Sequence, residues 1–259
     1  MLSVNESGVG RPLVLLHGWG LHSGAWQSCL PALEKNFHCY AVDMLGHGES
    51  ILNKNEAFNF DTMREELHQL ISSIDSDKII LLGWSLGGLV ALDYVSSFPN
   101  DIKKLILVSS NACFCEKDDW PHAMDEAVLD SFAQQLEQDY KKTVDKFMAL
   151  QMFGADDYKQ SLKILKQFMA SRPMPSIETL RQGLRILKTT DLRALLKDIT
   201  QPVLMISGEH DRLMPYQAAD AMQLLLTNAS NTMIEGAGHA PFISHIDEFT
   251  QLIKDFTKE

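Results

Sequence analysis

Short runs of apolar, often β-branched residues recur along the chain, and each run ends in residues that favour turns. Six such runs predict strands, over residues 13–16, 37–42, 78–82, 105–108, 203–206 and 231–234. Their hydrophobicity is continuous rather than alternating, which is typical of strands covered on both faces in a parallel sheet. Helical periodicity lies between several of them, for example over 63–74. The alternation of strand and helix predicts an α/β fold with a mostly parallel sheet.

One interval between predicted strands is much longer than a crossover helix requires. About 90 residues separate Val108 from Val203, whereas a parallel crossover needs roughly a dozen. The interval has helical patterns of its own. We therefore expect a helical cap over 112–187, inserted into a core formed by 1–111 and 188–259.

The predicted cap carries two amphipathic helical patterns. The first is predicted as a single helix over 132–151 and the second follows Gly154, before the Pro-rich break at 172–175. Lysines line the polar sides of both patterns. Residues 141–188 hold ten Lys or Arg against four Asp or Glu, a local charge of +6 in a chain whose net charge is −11. This basic island in an acidic chain is a first indication of function.

The third predicted strand runs directly into Gly-Trp-Ser-Leu-Gly at 83–87, and a helical pattern follows. A G-x-S-x-G sequence between strand and helix is the nucleophile elbow of serine hydrolases. The glycines keep side chains out of the tight turn, and the N-terminal N–H groups of the helix favour developing negative charge. We predict that Ser85 is a nucleophile, and serine at this position implies acyl transfer to water.

A serine hydroxyl needs a base, and the base needs an orienting carboxylate. Asp211 follows the fifth predicted strand and His239 the sixth, at the ends where open α/β sheets place their sites. The alternative position for the acid, after the fourth strand, reads Ser-Ser-Asn at 109–111 and offers no carboxylate. We predict a triad of Ser85, Asp211 and His239, with no metal or redox cofactor.

The sequence His-Gly-Trp-Gly at 17–20 follows the first long predicted strand. Hydrolases of this type take an oxyanion-hole donor from this loop and another from the residue after the nucleophile. We predict the backbone N–H groups of Trp19 and Leu86 as these donors, with a structural role for the His17 side chain.

Composition narrows the classes of function. The chain has 259 residues, 45% hydrophobic and 22% charged, the balance of an ordinary globular protein. A net charge of −11 argues against nucleic-acid binding, which needs a basic surface. No run approaches the roughly 20 apolar residues that span a bilayer, and no secretory signal is visible at the N-terminus. We expect no membrane association and a cytoplasmic location.

Longer strings carry a resemblance to a known family. These are Leu-Val-Leu-Leu-His-Gly-Trp-Gly-Leu at 13–21, the elbow at 83–91, the end of the cap at 186–193, and His-Ala-Pro-Phe-Ile-Ser-His at 239–245. The chain resembles the α/β hydrolases and, among them, the biotin-pathway esterases that cleave the methyl ester of pimeloyl-[acyl-carrier protein]. The similarity extends over nearly the whole chain.

This resemblance implies two further sets of residues. The family lines its acyl pocket with the cap stretch that here reads Phe147, Met148, Ala149, Leu150 and Gln151. The family's cap grips the acidic carrier protein, which presents a phosphopantetheine arm, through arginines; here lysines stand in their places, namely Lys142, Lys146, Lys159 and Lys163. Lysine keeps the positive charge but lacks the bidentate fork.

The resemblance implies a serine carboxylesterase that releases methanol and pimeloyl-carrier in biotin synthesis, acting as a monomer on an acyl carrier protein. Two alternatives stay open. One is a broad short-acyl carboxylesterase, and the other is a carbon–carbon bond hydrolase of ring-cleavage products, which shares the triad and a helical cap.

Overall fold

A seven-stranded sheet forms the centre of the protein, for which we analysed a computed structural model that describes residues 1–53 and 56–258. The strands are β1 (Ser3–Ser7), β2 (Arg11–Leu16), β3 (Phe37–Asp43), β4 (Ile80–Trp84), β5 (Lys104–Val108), β6 (Val203–Gly208) and β7 (Ala229–Ile234). Their order in the sheet is β1-β3-β2-β4-β5-β6-β7. β1 pairs antiparallel with β3, and the other neighbouring pairs run parallel.

Helices flank the sheet. They are α1 (Leu30–Leu33), α2 (Phe60–Ser73), α3 (Leu86–Ser97), α4 (Glu126–Gln138), α5 (Tyr140–Met152), α6 (Tyr158–Met169), α7 (Ile177–Thr189), α8 (Gln217–Gln223), α9 (Pro241–Ser244) and α10 (Ile246–Thr257). Short 3₁₀ helices span Ser23–Ser28 and Arg193–Asp198. Within the described ranges, no helix is long and apolar enough to cross a bilayer.

The continuous apolar runs became the central strands because both faces of the sheet are covered. Every residue of β4 and β6 is buried, as expected for parallel strands between helix layers. The register pairs Trp84 with Val108 and Gly208 with Ile234. The carboxyl ends of β4 to β7 therefore lie at one edge of the sheet, where a crevice for ligands forms in α/β proteins.

Four helices, α4 to α7, lie between β5 and β6, in the segment that the sequence predicted as a cap. We keep the name cap for 112–187. The prediction of a single helix over 132–151 is wrong, because the chain breaks at Asp139. The Asp139 carboxylate accepts a hydrogen bond from the Lys142 N–H at 3.0 Å. This N-cap starts a new helix, α5.

Candidate active site

Ser85 lies in the tight turn between the end of β4 and the start of α3. Its φ of 54° and ψ of −119° fall where residues other than glycine are rarely found, so the turn stores backbone strain. The Ser85 N–H donates to the Val108 carbonyl at 3.0 Å, and the Ser110 hydroxyl donates to the Ser85 carbonyl at 2.8 Å. These bonds to the end of β5 hold the strained residue in place.

Two glycines allow the turn to be this tight. A Cβ on Gly87 would lie 2.5 Å from the Leu16 carbonyl oxygen, and a Cβ on Gly83 would collide with the Gly87 carbonyl. Backbone segments here approach more closely than any side chain permits, which is why the elbow needs glycine on both sides of Ser85.

Asp211 and His239 form a buried hydrogen-bonded pair beyond the ends of β6 and β7. The Asp211 Oδ2 and His239 Nδ1 atoms are 2.8 Å apart, and both side chains are almost fully buried. The other oxygen, Oδ1, accepts from the N–H groups of Leu213 and Met214, each at 2.9 Å. An acceptor fixed in this way holds the imidazole with its proton on Nδ1, which leaves Nε2 as the basic nitrogen. Within the described residues, Nε2 is buried and has no hydrogen-bond partner.

The backbone of His239 is tied to both the elbow and the cap. The indole N–H of Trp84, the residue before Ser85, donates to the His239 carbonyl at 2.8 Å. The His239 N–H donates to the Gln151 carbonyl at the end of α5, at 3.0 Å. The structure thus brings the elbow, the predicted base and the predicted acid to the same edge of the sheet.

The two predicted oxyanion donors flank the elbow. Leu86 is the first residue of α3, and Trp19 lies in the loop after β2. In the part of the chain that the structure describes, neither backbone N–H donates to another protein group. A Cβ on Gly18 would lie 3.3 Å from the Ser85 Cβ, so this loop passes within van der Waals contact of Ser85.

His17 anchors the loop that carries Trp19. Its Nε2 accepts from the Met44 N–H at 3.0 Å, and its Nδ1 lies 2.8 Å from the Gly18 carbonyl. Burial, aided by the neighbouring His47, lowers the pKa of His17 to about 3. The ring is therefore neutral and structural.

The predicted acyl-pocket stretch lies at the end of α5, over the loop of Trp19. Phe147, Met148 and Gln151 are buried, whereas Ala149 and Leu150 are half-buried. The Phe147 ring meets the Trp19 ring edge-on at 4.7 Å between centroids. Both polar side-chain atoms of Gln151 are buried and have no partner in the described residues. The stretch is therefore mainly apolar, and it carries an unsatisfied amide on the residue whose carbonyl holds the His239 N–H.

The Trp19 side chain joins the oxyanion loop to the cap. Its indole N–H donates to the Leu180 carbonyl in α7 at 2.8 Å. A Cβ on Gly183 would lie 2.6 Å from the Trp19 ring, so glycine at this position of α7 makes the close contact possible.

The four predicted docking lysines are exposed on the first two turns of α5 and α6. They are Lys142, Lys146, Lys159 and Lys163. The Lys146 ammonium donates to the Gln135 side chain at 2.6 Å. Within the described ranges none of the four forms an ion pair, so their charges are available to an acidic surface.

Sequence reasoning missed a buried ion pair between cap and core. Arg172, after α6, donates to the Asp43 carboxylate and, at 2.7 Å, to the Ser23 hydroxyl. The Asp43 side chain is fully buried and also accepts the N–H groups of Ser23 and Glu49, at 2.8 and 2.9 Å. Burial alone would raise the pKa of Asp43, but these hydrogen bonds lower it below its usual range. The two charged residues are 129 positions apart, and no local pattern links them.

Comparisons with known proteins agree with this architecture. A family model described as "alpha/beta hydrolase fold" matches residues 11–246. An esterase, EaEST, from Exiguobacterium antarcticum has a TM-score of 0.91 at 24% identity, covering 100% of this chain and 96% of that one. At this identity the similarity shows the fold.

Two relatives are more similar in sequence. A pimeloyl-[acyl-carrier protein] methyl ester esterase of Photobacterium profundum is 41% identical over 251 residues, 97% of this chain and 96% of that protein. Its namesake in Pectobacterium carotovorum subsp. carotovorum is 39% identical over 253 residues, 98% of this chain and 96% of that protein. The chain therefore belongs to the α/β-hydrolase fold family and, within it, to the family of the pimeloyl-[acyl-carrier protein] methyl ester esterases.

Proposed function

We propose that this protein hydrolyses the methyl ester of pimeloyl-[acyl-carrier protein], giving pimeloyl-carrier and methanol for biotin synthesis. The observation that carries the proposal is the 41% identity, over 97% of the chain, to a protein named for this reaction. The proposal includes a cytoplasmic monomer as the working form.

The acylation step uses the two sides of the imidazole. His239 Nε2 takes the Ser85 proton as the hydroxyl oxygen attacks the ester carbonyl carbon. When the tetrahedral intermediate collapses, the protonated ring gives that proton to the departing methoxy oxygen, and methanol leaves. Asp211 stays ionised and stabilises the imidazolium. What supports these roles is the 2.8 Å bond from Nδ1 to Asp211, together with the contact of the His239 ring with Trp84, the residue before Ser85, at 5.8 Å between centroids.

The deacylation step repeats the chemistry with water. Water, deprotonated by His239 Nε2, attacks the acyl-serine carbonyl, and the returning proton restores the Ser85 hydroxyl. The freed group is the terminal carboxylate of the pimeloyl chain, still joined to its carrier at the other end. The net reaction adds one water and releases one methanol.

The oxyanion is held in both steps by the N–H groups of Trp19 and Leu86. Neither donor is used by another protein group in the described residues, and Leu86 adds the positive end of the α3 dipole. A donor of this kind is worth about 2.7–4 kcal/mol in the transition state.

Substrate selection is assigned to the cap. Phe147, Met148, Ala149, Leu150 and Gln151 line the acyl chain, and their mainly apolar surface suits its methylene groups. Lys142, Lys146, Lys159 and Lys163 receive the acidic carrier. Their exposed charges support steering, which raises association rates.

The direct test incubates purified protein with the methyl ester on the carrier and follows the carrier's mass and the released methanol. We expect conversion of ester to acid by the natural chain and none by Ser85→Ala. In a biotin auxotroph lacking this esterase, the natural chain should restore growth and Ser85→Ala should not. The proposal would be refuted if the carrier-bound ester stayed intact after incubation with folded protein that cleaves a p-nitrophenyl ester.

Two model substrates separate the alternatives. A broad short-acyl esterase would turn over p-nitrophenyl esters as efficiently as the carrier-bound ester. A carbon–carbon bond hydrolase would prefer a vinylogous diketone to either ester. We expect the carrier-bound methyl ester to give the highest kcat/KM of the three.

A further inference from the structure

A cavity of about 400 Å³ opens between the cap and the core, next to the loop that carries Trp19. Its walls come from the loop after β2, from α5 and α6, and from the segment at 172–175. Ligand pockets of proteins typically have volumes of about 300–1,000 Å³. The cavity is thus large enough for part of an extended ligand.

Two residues of the cavity wall are neighbours in sequence of candidate site residues. Gly20 and Leu21, which line it, directly follow Trp19, the predicted oxyanion donor. Met148, also in the lining, follows Phe147, whose ring packs on Trp19. A ligand in the cavity would therefore contact the loop that carries Trp19 and the helix α5, whose Gln151 carbonyl holds the His239 N–H.

The lining combines an apolar body with a charged rim. Met148, Met169 and Met174 provide flexible thioether side chains, which suit irregular aliphatic ligands. His22 also lines the cavity; burial lowers its pKa, and its Nδ1 accepts the Gly24 N–H at 3.0 Å. The ring is therefore neutral at pH 7.

Two of the three cations that line the cavity form ion pairs within the described residues, and the third does not. Lys166 lies 3.3 Å from Asp145, and Arg172 is bound to the buried Asp43. The Lys141 ammonium, exposed at the start of α5, forms no ion pair or hydrogen bond with any residue that the structure describes. The rim thus offers one uncompensated positive charge.

We propose that this cavity holds the carrier's phosphopantetheine arm and that Lys141 binds the phosphate diester. This inference rests on the proposed function. The diester carries one negative charge, which matches the single unpaired cation of the rim. The rest of the arm is uncharged and carries methyl and methylene groups that fit the methionine lining. Lys141 is distinct from the four lysines assigned to the carrier protein itself.

The length of α5 is compatible with this assignment. At about 1.5 Å per residue, Lys141 lies about 15 Å along the helix axis from Gln151, whose carbonyl holds His239. The arm and a pimeloyl chain together extend over roughly 20 Å or more, judged from the reach of an extended backbone. An ester carbonyl at Ser85 and a phosphate at Lys141 can therefore belong to one substrate.

The test compares two small thioesters of the pimeloyl methyl ester. One is on the methyl diester of phosphopantetheine, which carries one negative charge as the carrier-linked arm does, and the other is on pantetheine, which lacks the phosphate. We expect the natural chain to prefer the phosphorylated thioester in kcat/KM. Lys141→Gln should reduce this preference about fivefold, as for a partly exposed charge-assisted bond, without changing kcat/KM for pantetheine. Added salt should erode the preference of the natural chain. Lys197→Gln, which removes another exposed lysine without an ion pair in the described residues, is the control and should keep the preference.

Equal losses on both thioesters in Lys141→Gln, or no preference for phosphate in the natural chain, would overturn the assignment while leaving the proposed function intact. A natural chain that cleaves p-nitrophenyl esters but neither thioester nor the carrier-bound ester would overturn both proposals.

Discussion

The edge of the sheet and the cap hold their predicted functional residues in different ways. Asp211 and His239 are buried and fixed by hydrogen bonds from several directions, and Ser85 is locked in a strained turn. By contrast, Lys142 and Lys163 in the cap are exposed and form no ion pair in the described residues. A preorganised site suits bond breaking, whereas exposed charges suit the capture of a large partner. Under the proposed function, this difference assigns the reaction to the sheet and the choice of substrate to the cap.

The two regions are nevertheless joined at a few points. The Gln151 carbonyl holds the His239 N–H, the Trp19 indole binds the Leu180 carbonyl, and the Asp156 N–H donates to the Gly236 carbonyl at 3.1 Å. Arg172 adds the buried ion pair to Asp43. Variants in the core, at the joint and on the outer face of the cap should therefore have different signatures.

The largest effect should come from the core. In Asp211→Asn the side chain keeps its shape but no longer fixes the imidazole tautomer, so kcat should fall on the order of 10⁴-fold. Because the loss is chemical, carrier-bound and p-nitrophenyl esters should lose activity alike. A kcat reduced less than tenfold, in a variant with unchanged thermal stability, would contradict the role of Asp211.

The ion pair that joins the cap to the core should contribute to the free energy of unfolding. Arg172→Leu leaves the buried Asp43 carboxylate without its cation, so the free energy of unfolding should fall by about 3 kcal/mol, the lower end for a broken buried pair. Two backbone N–H groups still serve the carboxylate. Denaturant titration measures the loss. Adding Asp43→Asn should restore part of it, and a strictly additive double variant would show that the pair is not coupled.

Acid sensitivity should arise in the core beneath the cap. Burial lowers the pKa of His47 to about 4, so the unfolded chain takes up a proton more readily than the folded protein. The stability that the neutral ring provides is complete above the unfolded pKa, about 6.5, and is lost as the pH falls towards 4. When the pH falls from about 7.5 to 5, the free energy of unfolding should decrease in both proteins. The decrease should be about 2 kcal/mol smaller in His47→Phe than in the natural chain.

His17 remains in that variant with a pKa near 3, so part of the acid sensitivity should persist. Urea titrations of both proteins at the two pH values measure the difference. Identical pH dependences would show that His47 is not an acid-sensitive group.

The smallest effect should concern only the recognition of the carrier-bound substrate. Lys142→Glu with Lys146→Glu should lower kcat/KM on carrier-bound ester about tenfold, because like charges repel across an interface, while activity on a p-nitrophenyl ester stays constant. The matched control is Lys35→Glu with Lys197→Glu, which gives the same change in net charge at exposed positions elsewhere. Equal losses on both substrates, or equal losses in variant and control, would reject docking at these lysines.

Strands β2 to β6 were predictable because they are largely buried and read as continuous apolar runs. β1 was missed because Ser-Val-Asn-Glu-Ser has no such run and forms the antiparallel edge of the sheet. The break at Asp139 was missed because it depends on a hydrogen bond from a backbone N–H to the Asp139 side chain. The periodicity of apolar residues does not reveal such a hydrogen bond.

The candidate site divides in the same way. Ser85, Asp211 and His239 follow predicted strands, so sheet topology alone brings their loops to one edge. The pairing of Arg172 with Asp43 and the cavity beside Lys141 depend on how the cap packs on the core. Contacts between residues so distant in the chain leave no local pattern.

The central claim is that Ser85, activated by His239, attacks an ester that is bound by the cap. A reactive alkyl phosphonate tests it most directly, by peptide mapping of the labelled residue. We predict label on Ser85, none in Ser85→Ala, and slower labelling when carrier-bound pimeloyl methyl ester is present. Label on another residue, or labelling of Ser85 at a rate that the carrier-bound ester does not change, would contradict the account.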